Sequence, residues 1–313
     1  MKQHLVLVTG EPRDHCFDFG LNTVYNMIDH EVCDVIFNLT DSHSHRVFWN
    51  YVDFKHGDYS GLGTPISPQL KNNYEKRIRE LFPQAEIRWN SFDQMIDEWL
   101  LLFSQAELEG NFGNRYMTSW SSYVQKYQTW CAPEVADYET VTRTRLDLIS
   151  AEPIEYTREQ LIPHFYPQHD RPAIFVRDKP HNKQGVPMNR MGNDWLFAWN
   201  RAAGKRLQTW DMQQWRKKID TCEEGAPYGS VKVEEVWTRV YKELAIDEVQ
   251  SVDWPMKYFI YRDSRNDHPD DGRFGKSVKA LNKHGIKEHS NYQHKLQLKL
   301  NDKPSYRQHR TKY

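Results

Sequence analysis

Apolar residues along this chain fall into short unbroken runs separated by longer stretches in which they recur every three or four positions. That is the pattern of strands buried on both faces alternating with amphipathic helices. Residues 4–9, His-Leu-Val-Leu-Val-Thr, form the first such run and stop at Gly10-Glu11-Pro12-Arg13, so they read as a buried strand ending in a turn. Helical spacing follows over 21–30, then a second strand over 32–39 that stops at Thr40-Asp41-Ser42. Strand, helix, strand is a βαβ unit.

The alternation continues. A helix is predicted over 68–82, where Leu70, Tyr74, Ile78 and Leu81 share a stripe, and a short strand over 85–89. Helices are predicted over 92–107 and 116–130, a strand over 141–149, a helix over 157–164 and a strand over 173–176. Beyond this the pattern is less regular: a polar loop over 181–190, an aromatic stretch over 193–203, helices over 212–222 and 231–244, and a late strand over 254–261. Such an order predicts an α/β protein with a mainly parallel sheet covered by helices on both faces. Neither an internal repeat nor a Gly/Ser linker interrupts it, so one catalytic-size domain is expected over 1–266 with an extension over 267–313.

Charge makes that extension distinct. The 313 residues carry 42 Lys and Arg against 43 Asp and Glu, yet residues 276–313 hold ten basic and two acidic residues, a net of +8. The rest of the chain is therefore net acidic. A basic tail with interspersed Tyr292, Tyr306 and Tyr313 fits a segment that tracks a polyanion; the same charges also serve a tail that only confers solubility. The four cysteines, Cys16, Cys33, Cys131 and Cys222, show no CxxC spacing, which argues against a zinc module and a disulfide framework. No apolar run is long enough to span a bilayer, and a cytoplasmic protein with reduced thiols is expected.

In a parallel sheet, ligands bind at the carboxyl ends of the strands. Three polar clusters fall there: Thr9 to Arg13, Asn38 to Asp41, and Arg143-Thr144-Arg145-Leu146-Asp147. Gly10 permits close backbone approach and Arg13 suits a phosphate or carboxylate, although the same residues also make an ordinary turn. Strand alternation puts Arg143, Arg145 and Asp147 on one face. Two arginines and a carboxylate on a buried strand require either a wet cleft or mutual ion pairing. The P-loop, dinucleotide and nucleophile-elbow motifs (GxxxxGK[ST], GxGxxG, GxSxG) are absent, and His43 and His45 lack a zinc spacing.

Two of these clusters resemble a known family. Thr-Gly-Glu-Pro-Arg closing the first strand, with Tyr138-Glu139-Thr140-Val141-Thr142-Arg143-Thr144-Arg145-Leu146-Asp147-Leu148 in the middle of the chain, is similar to the motifs of GT-A-type glycosyltransferases of phages and bacteria. Their first strand ends in SGxxR and their middle strand reads YDxVIRxRxDL, its final aspartate standing at the metal-binding DxD motif. The resemblance implies a GT-A-like three-layer α/β/α fold. It also implies a nucleotide-sugar donor, UDP-sugar in the first instance, across the carboxyl edge of the sheet, and a divalent cation, Mn2+ or Mg2+, on its phosphates.

Carried onto this chain, it places Thr9, Gly10 and Arg13 at the nucleotide, Arg143 or Arg145 at the diphosphate, and Asp147 at the metal; Asp41, from the second strand-end cluster, is a further cofactor-binding candidate. Arg145 stands where a full DxD has its first Asp, and there supplies positive charge. Asp194, in Met191-Gly192-Asn193-Asp194-Trp195, is the candidate base for the acceptor hydroxyl, and is equally suited to cap a following helix. Trp195, Trp199 and Trp210 are candidates for stacking on a sugar or base. The basic tail makes a hydroxymethylated pyrimidine in DNA one expected acceptor. A surface glycan or lipid-linked saccharide is the other, and a non-catalytic nucleic-acid-binding protein is the reading from a different class.

Overall fold

The computed structural model describes residues 3–12, 17–44, 63–102, 129, 132–150, 169–176, 196–211, 233–250 and 258–260. In chain order its elements are β1 (His4–Gly10), α1 (Phe17–Met27), β2 (Cys33–Thr40), β3 (Ser42–Ser44), β4 (Gly63–Pro65), α2 (Pro68–Leu81), β5 (Glu86–Asn90) and α3 (Phe92–Leu100). A 3-10 turn over Pro133–Ala136 leads into β6 (Thr140–Arg145) and β7 (Leu148–Ser150). Then come β8 (Ala173–Val176), β9 (Phe197–Asn200), α4 (Arg201–Gln208), α5 (Val233–Glu243), β10 (Asp247–Gln250) and β11 (Tyr258–Ile260).

Seven strands make the main sheet, in the order β10-β8-β9-β6-β1-β2-β5. β1 lies inside the sheet, between β6 and β2, and its Leu5, Val6, Leu7 and Val8 are each at most 1% exposed. Burial of each such side chain contributes about 1.5–3 kcal/mol. Val6 and Val8 face α1 and α2, packing with Phe17, Leu21, Val24, Tyr74 and Ile78. By alternation Leu5 and Leu7 face the other way. On that second face Phe197, Trp199, Trp237 and Tyr241 form a chain of ring contacts, Phe197 to Trp237 at 5.2 Å and Trp237 to Tyr241 at 6.2 Å. The α/β class, the mainly parallel sheet and the helices on both faces are those the sequence predicts.

Local chemistry sets the helix starts. Ser67 caps α2 by accepting from the Leu70 N–H at 3.2 Å, and Pro68 fits the first turn, where no N–H partner exists. Asn200 caps α4, its Oδ1 accepting from Ala203 N at 3.0 Å and from Ala173 N at 3.1 Å. Its Nδ2 donates to the Arg171 carbonyl at 2.6 Å, so this one amide joins the end of β9 to the start of β8.

Three expectations need correction. The strand predicted over 141–149 is two strands: β6 ends at Arg145, the chain turns at Leu146 and Asp147, and β7 pairs antiparallel with β11. Leu146, 2% exposed, packs into the core under α1 and takes the backbone out of line. β9 is a strand where only an aromatic stretch was expected, and it runs antiparallel between β6 and β8. β10, in Asp-Glu-Val-Gln, has too little apolar pattern to be expected at all. The helices predicted over 116–130 (Thr129 apart), 157–164 and 212–222, the loop over 181–190 and the extension from 267 lie outside the described residues. Among the described residues no helix is long and apolar enough to cross a membrane.

Candidate functional site at the carboxyl edge of the sheet

From β1 the chain passes outward to β2 and then β5, whereas β6 returns to pair on the opposite side of β1. The reversal makes the boundary between β1 and β6 a topological switch point, where connections leave in opposite directions and a crevice opens above the carboxyl ends. In the parallel register Thr9 pairs with Arg145 on one side and with Asn38 on the other. All three polar clusters thus meet at one edge.

Gly10 ends β1 with a φ of +114°, a conformation that a residue with a side chain adopts only under strain. A Cβ built there would meet nothing within 4 Å, so backbone and not side chain borders an open space. Thr9, one residue below, is 1% exposed, and its Oγ1 accepts from Arg143 Nε at 2.8 Å. Arg13, expected to complete this cluster, lies outside the described residues.

The two arginines of β6 differ in depth. Arg143 is 1% exposed and lies 5.5 Å from the Phe197 ring, within the aromatic layer of the second face. Near it the Tyr241 hydroxyl is pushed well above the ordinary phenol range, first by burial, then by the Glu248 charge, while Arg143 acts in the opposite direction. Arg145 is nearer the surface, its side chain 18% exposed. Its guanidinium grips Asp147 through both carboxylate oxygens, Nε to Oδ1 at 2.8 Å and Nη2 to Oδ2 at 2.7 Å. Of the two arginines, Arg143 is sealed in the layer beneath and Arg145 lies nearer the surface.

A residue not singled out from the sequence holds this turn in place. A Cβ on Gly20, in the first turn of α1, would collide with the Leu146 carbonyl oxygen, so helix backbone packs directly on strand-turn backbone. The helix expected over 21–30 starts earlier, at Phe17, so Gly20 lies outside the helical stretch read from the sequence and gives no packing signal there.

Asp147 does not fit a resident divalent cation. Mg2+ and Mn2+ take several oxygen ligands, and each oxygen of this carboxylate already accepts from a guanidinium. Among the described residues no group of three or more His, Cys, Asp or Glu side chains could hold a metal ion.

Asp41 sits at the end of β2 with both oxygens engaged, Oδ1 by Phe92 N at 2.9 Å and Oδ2 by Lys71 Nζ at 3.2 Å. It thereby ties β2 to α2 and to the first residue of α3. Beside it Asn90 Nδ2 donates to Asn38 Oδ1 at 2.8 Å. Trp199 and Trp210 are 0% and 4% exposed and belong to the core; Asp194 and Trp195 lie outside the described residues.

No family model matches the sequence, and no curated protein matches it. Among solved structures, the chain is similar to mouse xyloside xylosyltransferase 1 in its apo form, with a TM-score of 0.38 and 11% identity over 81% of this chain and 85% of that one. It is also similar to a UDP-glucose pyrophosphorylase complexed with UDP-glucose, with a TM-score of 0.33 and 10% identity over 90% of this chain and 99% of that one.

Proposed function

We propose that the chain is a glycosyltransferase that takes a nucleotide-sugar, a UDP-sugar in the first instance, at the carboxyl edge between β1 and β6. The observation that carries this reading is the juxtaposition, at a switch point, of an open-backed Gly10 with a surface guanidinium held by Asp147. The strand-end motifs that resemble GT-A glycosyltransferases fall on those same residues.

Transfer breaks the bond between the sugar C1 and the diphosphate oxygen and forms one between C1 and the acceptor oxygen. Negative charge accumulates on the departing nucleoside diphosphate. Arg145 is placed to stabilise it with planar, charge-assisted hydrogen bonds. Thr9 and Arg143 support that edge from beneath, and Asp194 is the candidate base that takes the acceptor proton.

The acceptor we propose is a hydroxymethylated pyrimidine in DNA, supported by the +8 tail on an otherwise acidic chain. Release of UDP from a UDP-sugar panel, with and without hydroxymethylcytosine duplex, tests both halves. Acceptor-dependent release that disappears when 276–313 is deleted supports DNA. Release that is no greater with the duplex than without it moves the acceptor to a glycan or lipid-linked saccharide, and duplex-dependent release that survives the deletion removes the tail from acceptor binding. DNA binding without any sugar-nucleotide binding leaves the non-catalytic reading.

A further inference from the structure

We infer that Asp147 is a positioning residue for Arg145, and that the donor diphosphate is bound at this edge by the arginine without a divalent cation. The inference rests on the nucleotide-sugar reading above and states how that site holds its anion.

Three observations converge on it. Asp147 is 5% exposed, a burial that an isolated carboxylate does not tolerate cheaply; a bidentate guanidinium pairs with it, and among the described residues no group of three or more His, Cys, Asp or Glu side chains could hold a metal ion. Pairing through Nε and Nη2 fixes the guanidinium plane, and a fixed plane of N–H donors matches two oxygens of a phosphate as well as two of a carboxylate. The turn that carries Asp147 is also immobilised. Leu146 is buried in the core and its carbonyl is packed against Gly20, so the backbone on which the carboxylate stands is fixed against α1. A metal-binding carboxylate needs oxygen-bearing companions and an open coordination sphere; this one has a cation already chelated to it.

The test is calorimetric titration of the full chain with UDP, in excess EDTA and again in millimolar Mn2+. The dissociation constants should agree within about threefold. In EDTA, Asp147→Asn and Arg145→Ala should each weaken UDP about tenfold or more, the loss expected when a charge-assisted contact is misplaced or removed. Uridine, which has no phosphate and is followed by NMR line broadening, should bind both variants as it binds the wild type. That contrast separates positioning of an anion contact from general damage, and Asp147→Glu, which keeps a carboxylate within reach of Arg145, should recover part of the UDP affinity. UDP binding that appears only with Mn2+ overturns the inference and leaves the proposed function standing. Binding under neither condition overturns both, and equal loss of uridine and UDP in Asp147→Asn overturns the positioning role.

Discussion

The carbonyl oxygen of Leu146 occupies the space that a side chain at Gly20 would need, so the first turn of α1 and the turn between β6 and β7 touch backbone to backbone. Through this contact the helix that follows β1 and the loop that follows β6 become one rigid wall of the crevice between them. Gly20→Ala should therefore be among the most damaging small substitutions in the chain. Forcing a methyl against a carbonyl in a packed core costs typically ~1–3 kcal/mol, and the upper end is expected because the obstructing atom is backbone. Urea denaturation of the purified variant checks it; wild-type stability would show that α1 can slide without penalty.

Thr9 and Arg143 should behave as one unit. The Thr9 hydroxyl accepts from a guanidinium with 1% exposure, so Thr9→Val keeps the shape and removes one charge-assisted hydrogen bond of a buried guanidinium, at about 1.5–3 kcal/mol. Replacing Arg143 with Met in the same chain removes the donor, so the double variant should lose less stability than the two single losses added together. Strict additivity in a double-mutant cycle would show that the contact contributes nothing.

Stability should depend on pH through the turn before β6. Arg88 of β5 grips Glu134 of the Pro133–Ala136 turn through both carboxylate oxygens, and this guanidinium holds the Glu134 carboxyl below its ordinary value while its own pKa is raised by the same contact. A group depressed in the folded state stabilises the fold above its unfolded pKa, ordinarily about 4.3 for glutamate, and that stabilisation is lost as pH falls through the depressed folded value. Glu134→Gln should lower stability at pH 6 and flatten its decline between about pH 5 and pH 3. An unchanged slope in denaturation series at those pH values would remove Glu134 from the acid response.

One substitution should stabilise the protein. Ala245 follows α5 at a φ of +52°, where its N–H and that of Ile246 donate back to the Lys242 and Tyr241 carbonyls, the ending that favours glycine. The left-handed conformation costs an alanine roughly 1–2 kcal/mol, partly offset in a glycine by greater unfolded-state freedom. Ala245→Gly should raise stability by about 0.5–1 kcal/mol, seen as a higher Tm in a thermal melt. A lower Tm would mean that the alanine methyl makes packing contacts outweighing its strain.

What was legible in the sequence follows from what each segment buries. β1, β2 and β8 are read directly because a strand covered on both faces leaves an unbroken apolar run. β9 is hidden, since Phe-Ala-Trp-Asn passes into α4 with no loop between them, and its antiparallel direction is set by Asn200 bridging to β8, a tertiary contact. β10 is an edge strand with two acidic residues among its four, and no local pattern distinguishes it from a loop. At the site, alternation put Arg143, Arg145 and Asp147 on one strand face; the two arginines stand so on β6, whereas Asp147 stands in the turn beyond it, and parallel strands bring the three polar clusters to one edge. Alternation says nothing of depth, so it did not show that Arg143 is sealed beneath Thr9 while Arg145 reaches the surface. Nor did it show that Asp41 is committed to the corner between β2 and α3, because both its partners are remote in sequence.

A nucleoside diphosphate is proposed to sit where β1 and β6 part, and a crystal structure of the full chain soaked with UDP would locate it. Density for the diphosphate is expected against the Gly10 backbone, with a phosphate oxygen at about 2.7–2.9 Å from the Arg145 guanidinium, the range of charge-assisted hydrogen bonds. Ordered UDP bound anywhere else on the molecule, with the Gly10 and Arg145 edge left untouched, would contradict it.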